Sequence, residues 1–242
     1  MLTRMSRVVG FNGNYLAFCR KIRRVPFPVR VPIFGTVGTL PEVLNLHDNF
    51  AAGELRDERT EEFLRAEQSP IIIDCGINVG ITVRWWLHIN PRATVFGFDM
   101  IQEAHDFTIP RLRGREKAYF PFTAALSAND GEEIRIHFDD PLNGENRVGD
   151  ARPHAHSRLV PTKTIDSLLR PHRLTSISLL KMDIEGYGHL ALRGASESLR
   201  VTQHVVIESH SEEELSESNS LLVSHGFRLR RFRNRNLWYE RA

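Results

Sequence analysis

Ile71-Ile72-Ile73-Asp74-Cys75-Gly76-Ile77-Asn78-Val79-Gly80 decides how this chain folds. Three consecutive isoleucines are stiff at χ1 and favour extended backbone, and an unbroken apolar run reads as a strand covered on both faces. Gly76 and Gly80 then free the backbone for a tight turn and for close approach of a ligand or helix. An acid, Asp74, stands at the mouth of that turn. A buried strand running into a glycine-spaced turn is built for a nucleotide-like ligand.

Outward from this stretch, strand and helix alternate. A helix at 79–89 stops at Asn90-Pro91, and a strand at 94–98 completes one βαβ unit. Upstream, residues 54–68 lack Gly and Pro and space Leu55, Phe63 and Leu64 as a helix ending before Ser69-Pro70. Downstream, the pattern predicts a helix at 101–112, then strands at 118–124 and 133–138 around Asn129-Asp130-Gly131. A polar loop at 139–157, a strand at 158–162 and a helix starting at Thr164 follow. Strands at 177–182 and 204–208, helices at 187–199 and 211–224, and a strand pair at 227–232 and 237–239 complete the chain. This order predicts a doubly wound α/β sheet.

At 242 residues, 41% hydrophobic and 26% charged, the chain can bury one substantial core. The expected division is a basic N-terminal arm or lid over 1–53 and one domain over 54–242. Pro26, Pro28, Pro32 and Pro41 interrupt short apolar runs, so residues 1–45 read as irregular. Cys19 and Cys75 are far apart and make no disulfide framework, which points to a reducing, cytoplasmic setting. No apolar run approaches the roughly 18 residues of a membrane span, and residues 1–35 lack a secretory signal, so a soluble protein is expected.

The net charge of +2 is unevenly spread. Arg4, Arg7, Arg20, Lys21, Arg23, Arg24 and Arg30 all precede the first acid, Glu42, and Arg228, Arg230, Arg231, Arg233 and Arg235 cluster near the other end. Each cluster reads first as a solvated face; the alternatives are phosphate, an acidic partner or peripheral contact with anionic lipid. Aromatic residues do not interleave with the bases as in a nucleic-acid module, so nucleic acid is not an expected partner. Nothing here bears on oligomeric state.

Ligands of open α/β sheets lie beyond the carboxyl ends of the strands. Four such ends carry acids: Asp74, Asp99, Asp183 with Glu185, and Glu208 with His210. Asp99 lies 19 residues past Gly80, where an acid accepts hydrogen bonds from ribose hydroxyls in both nicotinamide and S-adenosylmethionine sites. The turn separates the two. Asp-x-Gly-x-Asn-x-Gly lacks the third glycine of a dinucleotide turn, and its acid repels pyrophosphate but suits a sulfonium and an α-ammonium. A nicotinamide oxidoreductase is thereby disfavoured.

The chain resembles the FkbM-like group of class I S-adenosylmethionine-dependent methyltransferases over about residues 70–242. The resemblance rests on Ile73 to Gly80, on Phe96-Gly97-Phe98-Asp99, on Thr164-Ile165-Asp166-Ser167-Leu168, and on Leu180-Lys181-Met182-Asp183-Ile184-Glu185-Gly186 followed by Leu190 to Ala195. It implies a Rossmann-like, seven-stranded, mostly parallel sheet with a terminal antiparallel strand, preceded by an N-terminal extension. It further implies S-adenosylmethionine held by Asp74, Gly76, Asn78 and Gly80, with Asp99 on the ribose beside Met100 and Asp183 near the reacting methyl. Two departures stand out. Asp99-Met100 replaces the usual Glu-Pro, and Tyr187-Gly188 stands where the family has a small residue and an acid, which reshapes the acceptor pocket.

The implied reaction is methylation of a hydroxyl on a sugar, a lipid-linked glycan or a secondary metabolite. Such a displacement needs an aligned acceptor and a group to take its proton. Candidates are Asp183, Glu185, Glu208 and His210, with His210 closest to neutral at an ordinary pKa of about 6.5. Asp183 and Glu185 have no compact third ligand in sequence, so no metal is expected. His154 and His156 lack companions at zinc-site spacing and read as loop residues. Trp85 and Trp86 read as core, with one of them a candidate to line the cofactor site. The alternative is a cofactor-binding or interaction protein that keeps the fold without turnover, favoured by the two departures and opposed by the retained acids.

Overall fold

The computed structural model describes residues 13–143, 147–148 and 154–242; Arg4, Arg7 and much of the 139–157 loop lie outside these. An N-terminal segment comprises α1 (Gly13–Ile22), β1 (Val29–Val31), β2 (Gly35–Val37) and α2 (Leu40–Leu46). It leads through α3 (Glu58–Ala66) into β3 (Ile71–Cys75), α4 (Ile81–Ile89), β4 (Thr94–Asp99), α5 (Gln102–Thr108) and β5 (Tyr119–Thr123). Next come β6 (Ala125–Leu126), β7 (Glu133–Phe138), β8 (Arg147–Val148), β9 (His156–Lys163) and α6 (Ile165–Leu169). The chain ends with β10 (Ile177–Met182), α7 (Gly188–Arg193), α8 (Ser196–Arg200), β11 (Thr202–Glu208), α9 (Glu212–Ser224), β12 (Phe227–Arg233) and β13 (Asn236–Arg241).

Seven strands form one sheet in the order β12-β13-β11-β10-β3-β4-β5, with β13 antiparallel to both neighbours and the other pairs parallel. From β3 the chain winds outward through β4 and β5, then returns to β10 on β3's other side. The carboxyl ends of β3 and β10 therefore flank the switch point where such sheets bind ligands. Side-chain alternation splits the core into two. Ile72, Val95, Leu179 and Val206 face α4 and the N-terminal segment, whereas Ile73, Cys75, Leu180 and Met182 pack with Leu192, Leu199 and Leu222 of the C-terminal helices.

The structure refines several of these expectations. Strands 133–138 and 158–162 do not join the main sheet; with β6 and β8 they form a separate sheet of order β6-β9-β7-β8. Glu133-Ile134-Arg135-Ile136-His137-Phe138 alternates polar and apolar, the pattern of a sheet covered on one face, unlike the mainly apolar strands β3 and β10. The helix expected over 187–199 is two helices, and that over 54–68 begins only at Glu58. Asp57 sets that start by accepting a hydrogen bond from the Thr60 amide at 3.0 Å.

A further correction is the irregular arm. Leu16, Cys19, Val31, Phe34, Val37, Val43, Leu46 and Phe50 are buried in the same core as Trp85 and Trp86. The prolines misled because of where they sit: Pro32 lies in the β1–β2 turn, and Pro41 lies in the first turn of α2, where its missing N–H costs nothing. Thr39 and Glu42 form a capping box there.

Glu42 also locks this segment onto the sheet. Fully buried, it pairs with Arg84 of α4 and with Arg111, each at 3.4 Å. Arg84 in turn donates to the carbonyls of Phe34 (2.8 Å), Val79 (3.2 Å) and Gly80 (3.2 Å), joining the β1–β2 turn to the glycine turn. Burial lowers the Arg84 pKa to about 10, with Glu42 opposing the shift. Glu42→Gln leaves that guanidinium buried without its counter-charge, and urea unfolding is expected to show a loss of about 3–5 kcal/mol. A loss within experimental error would mean that the segment is not clamped this way.

Candidate functional site

A cavity of about 690 Å³ opens over the carboxyl ends of β3, β4, β10 and β11. These ends contribute Gly76, Asn78, Asp99, Met100, Asp183, Glu185, Glu208 and His210. Arg20, Arg23, Asn45 and Asp48 of the N-terminal segment form another wall, and Ile134 of the accessory sheet lies on a third side. The volume is that of a site for a cofactor-sized ligand.

The turn after β3 is shaped by contact with β10. Gly76 has a φ of 79°, and a Cβ there would stand 1.8 Å from the Asp183 carbonyl oxygen, so only glycine fits. Gly80 plays a different part from the expected one. It does not line the cavity; at φ 67° it begins α4 with its α-carbon against Thr108 of α5. Asn78 is also left-handed at φ 48°, and its buried Oδ1 has no hydrogen-bond partner among the described residues. The Asn78 amide donates to Asp99 Oδ2 at 3.0 Å, while Ile101 N donates to Oδ1 at 3.0 Å. Burial pushes the Asp99 pKa up to about 6 against the lowering effect of these amides.

Asp74 is the residue the structure moves out of the site. Its side chain is fully buried beneath α4, where it accepts a hydrogen bond from Trp86 Nε1 at 3.0 Å and lies 3.3 Å from Lys181 Nζ. Neither tryptophan lines the cavity. Lys181, to which sequence reading assigned no role, is the hub. It sits opposite Asp74 in the β3–β10 register, donates to the carbonyls of Gly76 (2.8 Å) and Cys75 (3.2 Å), and lies 3.6 Å from Asp183. Burial works against its charge, but Asp74 and Asp183 outweigh burial and raise its pKa. The signal was present: a lysine inside Ile177-Ser178-Leu179-Leu180-Lys181-Met182 needs a buried counter-charge, and a neighbouring strand offers one in Asp74.

The remaining predicted residues do converge. His210 places Nε2 3.7 Å from Asp183 and Nδ1 3.6 Å from Glu185, with Glu208 on the same wall. Burial lowers the His210 pKa, but Asp183, Glu185 and Glu208 together raise it above the ordinary value. Burial, reinforced by Asp183, pushes Glu208 up to about 8. Asp183 is held below its usual range, because Lys181 and His210 overcome its desolvation. The loop carrying His210 is pinned by buried Glu214, which accepts from the amides of His210 (2.7 Å) and Gly188 (2.9 Å). Glu185 holds a left-handed φ of 50°, a conformation that non-glycine residues adopt at sites where geometry is imposed.

Folding brings His210 beside Asp183 and Glu185, a third donor that sequence order did not place there. Asp183, Glu185 and His210 offer ligand atoms within 4.8 Å of one another and could hold a divalent cation. His154 and His156 join no such group among the described residues; His154 lies 3.3 Å from Asp139, and His156 opens β9. No helix among the described residues is long and apolar enough to cross a membrane.

Strand order, the reversed penultimate strand and the acid-tipped switch point are those of a class I S-adenosylmethionine-dependent methyltransferase. Residues 74–229 match the methyltransferase FkbM domain, and the chain belongs to that family. The chain is 27% identical over 175 residues to the 2-O-methyltransferase NoeI of Sinorhizobium fredii, covering 64% of this chain and 68% of that protein. Among solved structures, it is similar to Aeropyrum pernix fibrillarin with bound S-adenosylmethionine (14% identity, 72% and 67% of the two chains, TM-score 0.45). It is also similar to a sarcosine dimethylglycine methyltransferase described as putative, from Galdieria sulphuraria (11% identity, 91% and 76%, TM-score 0.46). S-adenosylmethionine, not a nicotinamide, is the cofactor.

The residues present fit that donor. Gly76 leaves backbone room at the switch point, Asn78 offers an unsatisfied acceptor, and the acidic strand ends suit a sulfonium and an ammonium. Lys181→Met removes the cation beneath the turn and leaves Asp74 as an unpaired buried charge, a loss expected to cost about 3–5 kcal/mol in thermal or urea unfolding. Adding Asp74→Asn is expected to recover much of that loss. A double variant no more stable than the single one would mean that the pair is not the coupling.

Proposed function

We propose that this protein transfers a methyl group from S-adenosylmethionine to a hydroxyl of a sugar carried by a glycolipid or secondary metabolite. The observation that carries this reading is His210 standing between Asp183 and Glu185 on the cavity wall. Similarity to a 2-O-methyltransferase supports the choice of oxygen. The buried, free Cys19 and Cys75 suit a reducing cytoplasmic setting.

When bound, S-adenosylmethionine supplies an electrophilic methyl group. Asp99, held by the Asn78 and Ile101 amides, keeps lone pairs for ribose hydroxyls, with Met100 beside it. Asn78 Oδ1 accepts from the donor, and Gly76 lets it approach the backbone. Asp183 and Glu185 orient His210, which takes the proton of the acceptor hydroxyl at a ring nitrogen as the oxygen attacks. The same carboxylates stabilise the imidazolium that forms. Tyr187 and Ile184 line the acceptor side, and Glu208 stands next to the base.

A second reading has its own support in the ligand spacing of Asp183, Glu185 and His210: a divalent cation there would polarise the hydroxyl. Turnover measured after chelation and after adding back Mg²⁺ or Mn²⁺ separates the two. Undiminished turnover in chelator favours His210 as base, and loss with metal rescue favours the cation.

With His210 as base, turnover rises with pH through an apparent pKa above 6.5, because the neutral imidazole is the active form. His210→Ala is expected to lower kcat about 10²–10⁴-fold with little change in donor affinity. An unchanged kcat removes it as base. Asp99 gives a separate test, since its pKa of about 6 lies above the usual aspartate value. Calorimetry is expected to show donor affinity falling as pH drops through about 6 and Asp99 becomes protonated. Asp99→Asn should bind weakly and without that pH dependence; an equal dependence in the variant would remove Asp99 from the ribose.

A further inference from the structure

The two basic clusters have different fates in the fold. Near the C-terminus, Arg230 and Arg231 pair with Asp57, Arg228 pairs with Glu240, and Arg233 donates to the Ala52 carbonyl. These arginines serve internal contacts. Near the N-terminus, Lys21, Arg23 and Arg24 are exposed and have no carboxylate within 4.0 Å among the described residues, and no acid occurs in the sequence before Glu42.

The same segment carries exposed apolar side chains. Helix α1 turns Leu16 and Cys19 into the core and leaves Phe18 (50% exposed) and Ile22 (42%) one turn apart on the surface. Phe27 (59% exposed) joins them, and it is fixed in place. Its ring stacks on Tyr15 at 4.8 Å, the Tyr15 hydroxyl donates to its carbonyl at 2.5 Å, and its amide donates back at 3.1 Å. Arg20 and Arg23, from the same helix and its end, line the cavity.

We propose that α1 and the Phe27 turn form a docking surface for an anionic lipid bilayer. Phe18, Ile22 and Phe27 enter the headgroup boundary, and Lys21, Arg23 and Arg24 meet lipid phosphates. Two aromatic rings and an isoleucine flanked by cations form an interfacial surface. Three apolar side chains fall well short of the roughly 800 Å² per partner of a stable protein interface, but they suffice for reversible binding when charge adds to them. Docking in this way brings the cavity entrance to the membrane, where a lipid-linked hydroxyl could reach His210. Only this last point rests on the activity proposed above.

Sedimentation of the full chain with vesicles tests the surface. Phosphatidylcholine vesicles containing phosphatidylglycerol are expected to carry the protein down, pure phosphatidylcholine vesicles much less, and high salt is expected to release it. Phe18→Ser with Ile22→Ser, and separately Lys21→Glu with Arg24→Glu, should each cut the bound fraction about tenfold while melting temperature and S-adenosylmethionine affinity stay unchanged. Equal sedimentation of wild type and both variants overturns the proposal, as does no sedimentation with anionic vesicles. A dimer in light scattering that Phe18→Ser with Ile22→Ser abolishes would make the patch a contact between two copies, and also overturns it. Failure of the wild type to bind S-adenosylmethionine would count against methyl transfer and leave the vesicle result standing.

Discussion

Lys181 and Asp74 face each other across two parallel strands at the point where the sheet changes winding direction. Two charges so deeply buried are tolerated only when each neutralises the other and the remaining hydrogen-bonding capacity is used. The charges offset each other, the Cys75 and Gly76 carbonyls take ammonium protons, and Trp86 satisfies one carboxylate oxygen, while the other lies 3.3 Å from the ammonium without a hydrogen bond among the described residues. The pair therefore does more than join β3 to β10. It draws the turn that bears Gly76 and Asn78 towards the loop that bears Asp183, so the two halves of the site are tied from beneath. Asp183 feels the same ammonium, which keeps it ionised beside His210.

A second buried pair does similar work farther out. Glu42 and Arg84 connect the N-terminal segment to the glycine turn, so the wall formed by Arg20, Arg23, Asn45 and Asp48 is held relative to the strand ends. The segment belongs to the core on one side and presents Phe18, Ile22 and Phe27 on the other. Its prolines and cations carried two meanings that composition merged: turn and helix-start positions inside, and a charged, partly apolar surface outside.

Much of the main sheet was legible. Mainly apolar segments at 71–75 and 177–182 matched buried parallel strands, and Asp99, Asp183, Glu185, Glu208 and His210 were found at strand ends because open α/β sheets gather such ends on one rim. That strands 133–138 and 158–162 form an accessory sheet was not legible, because a strand's pattern shows whether one or both faces are covered, not which sheet it joins. Asp74 was misplaced for a related reason. Its spacing from Gly76 described the turn, but strand alternation points its side chain beneath α4.

By itself, the sequence determined the strands of the main sheet, the glycine turn, the acids at strand ends and membership of the FkbM methyltransferase family, because each is written in local periodicity or in a motif. Tertiary structure alone decided which charges meet. It paired Lys181 with Asp74, set His210 between Asp183 and Glu185, and bound the C-terminal arginines to Asp57 and Glu240 while leaving Lys21, Arg23 and Arg24 outside. Charge pairing depends on through-space distances of a few ångströms between residues as far apart in sequence as Arg231 and Asp57, 174 positions, and no local pattern encodes those.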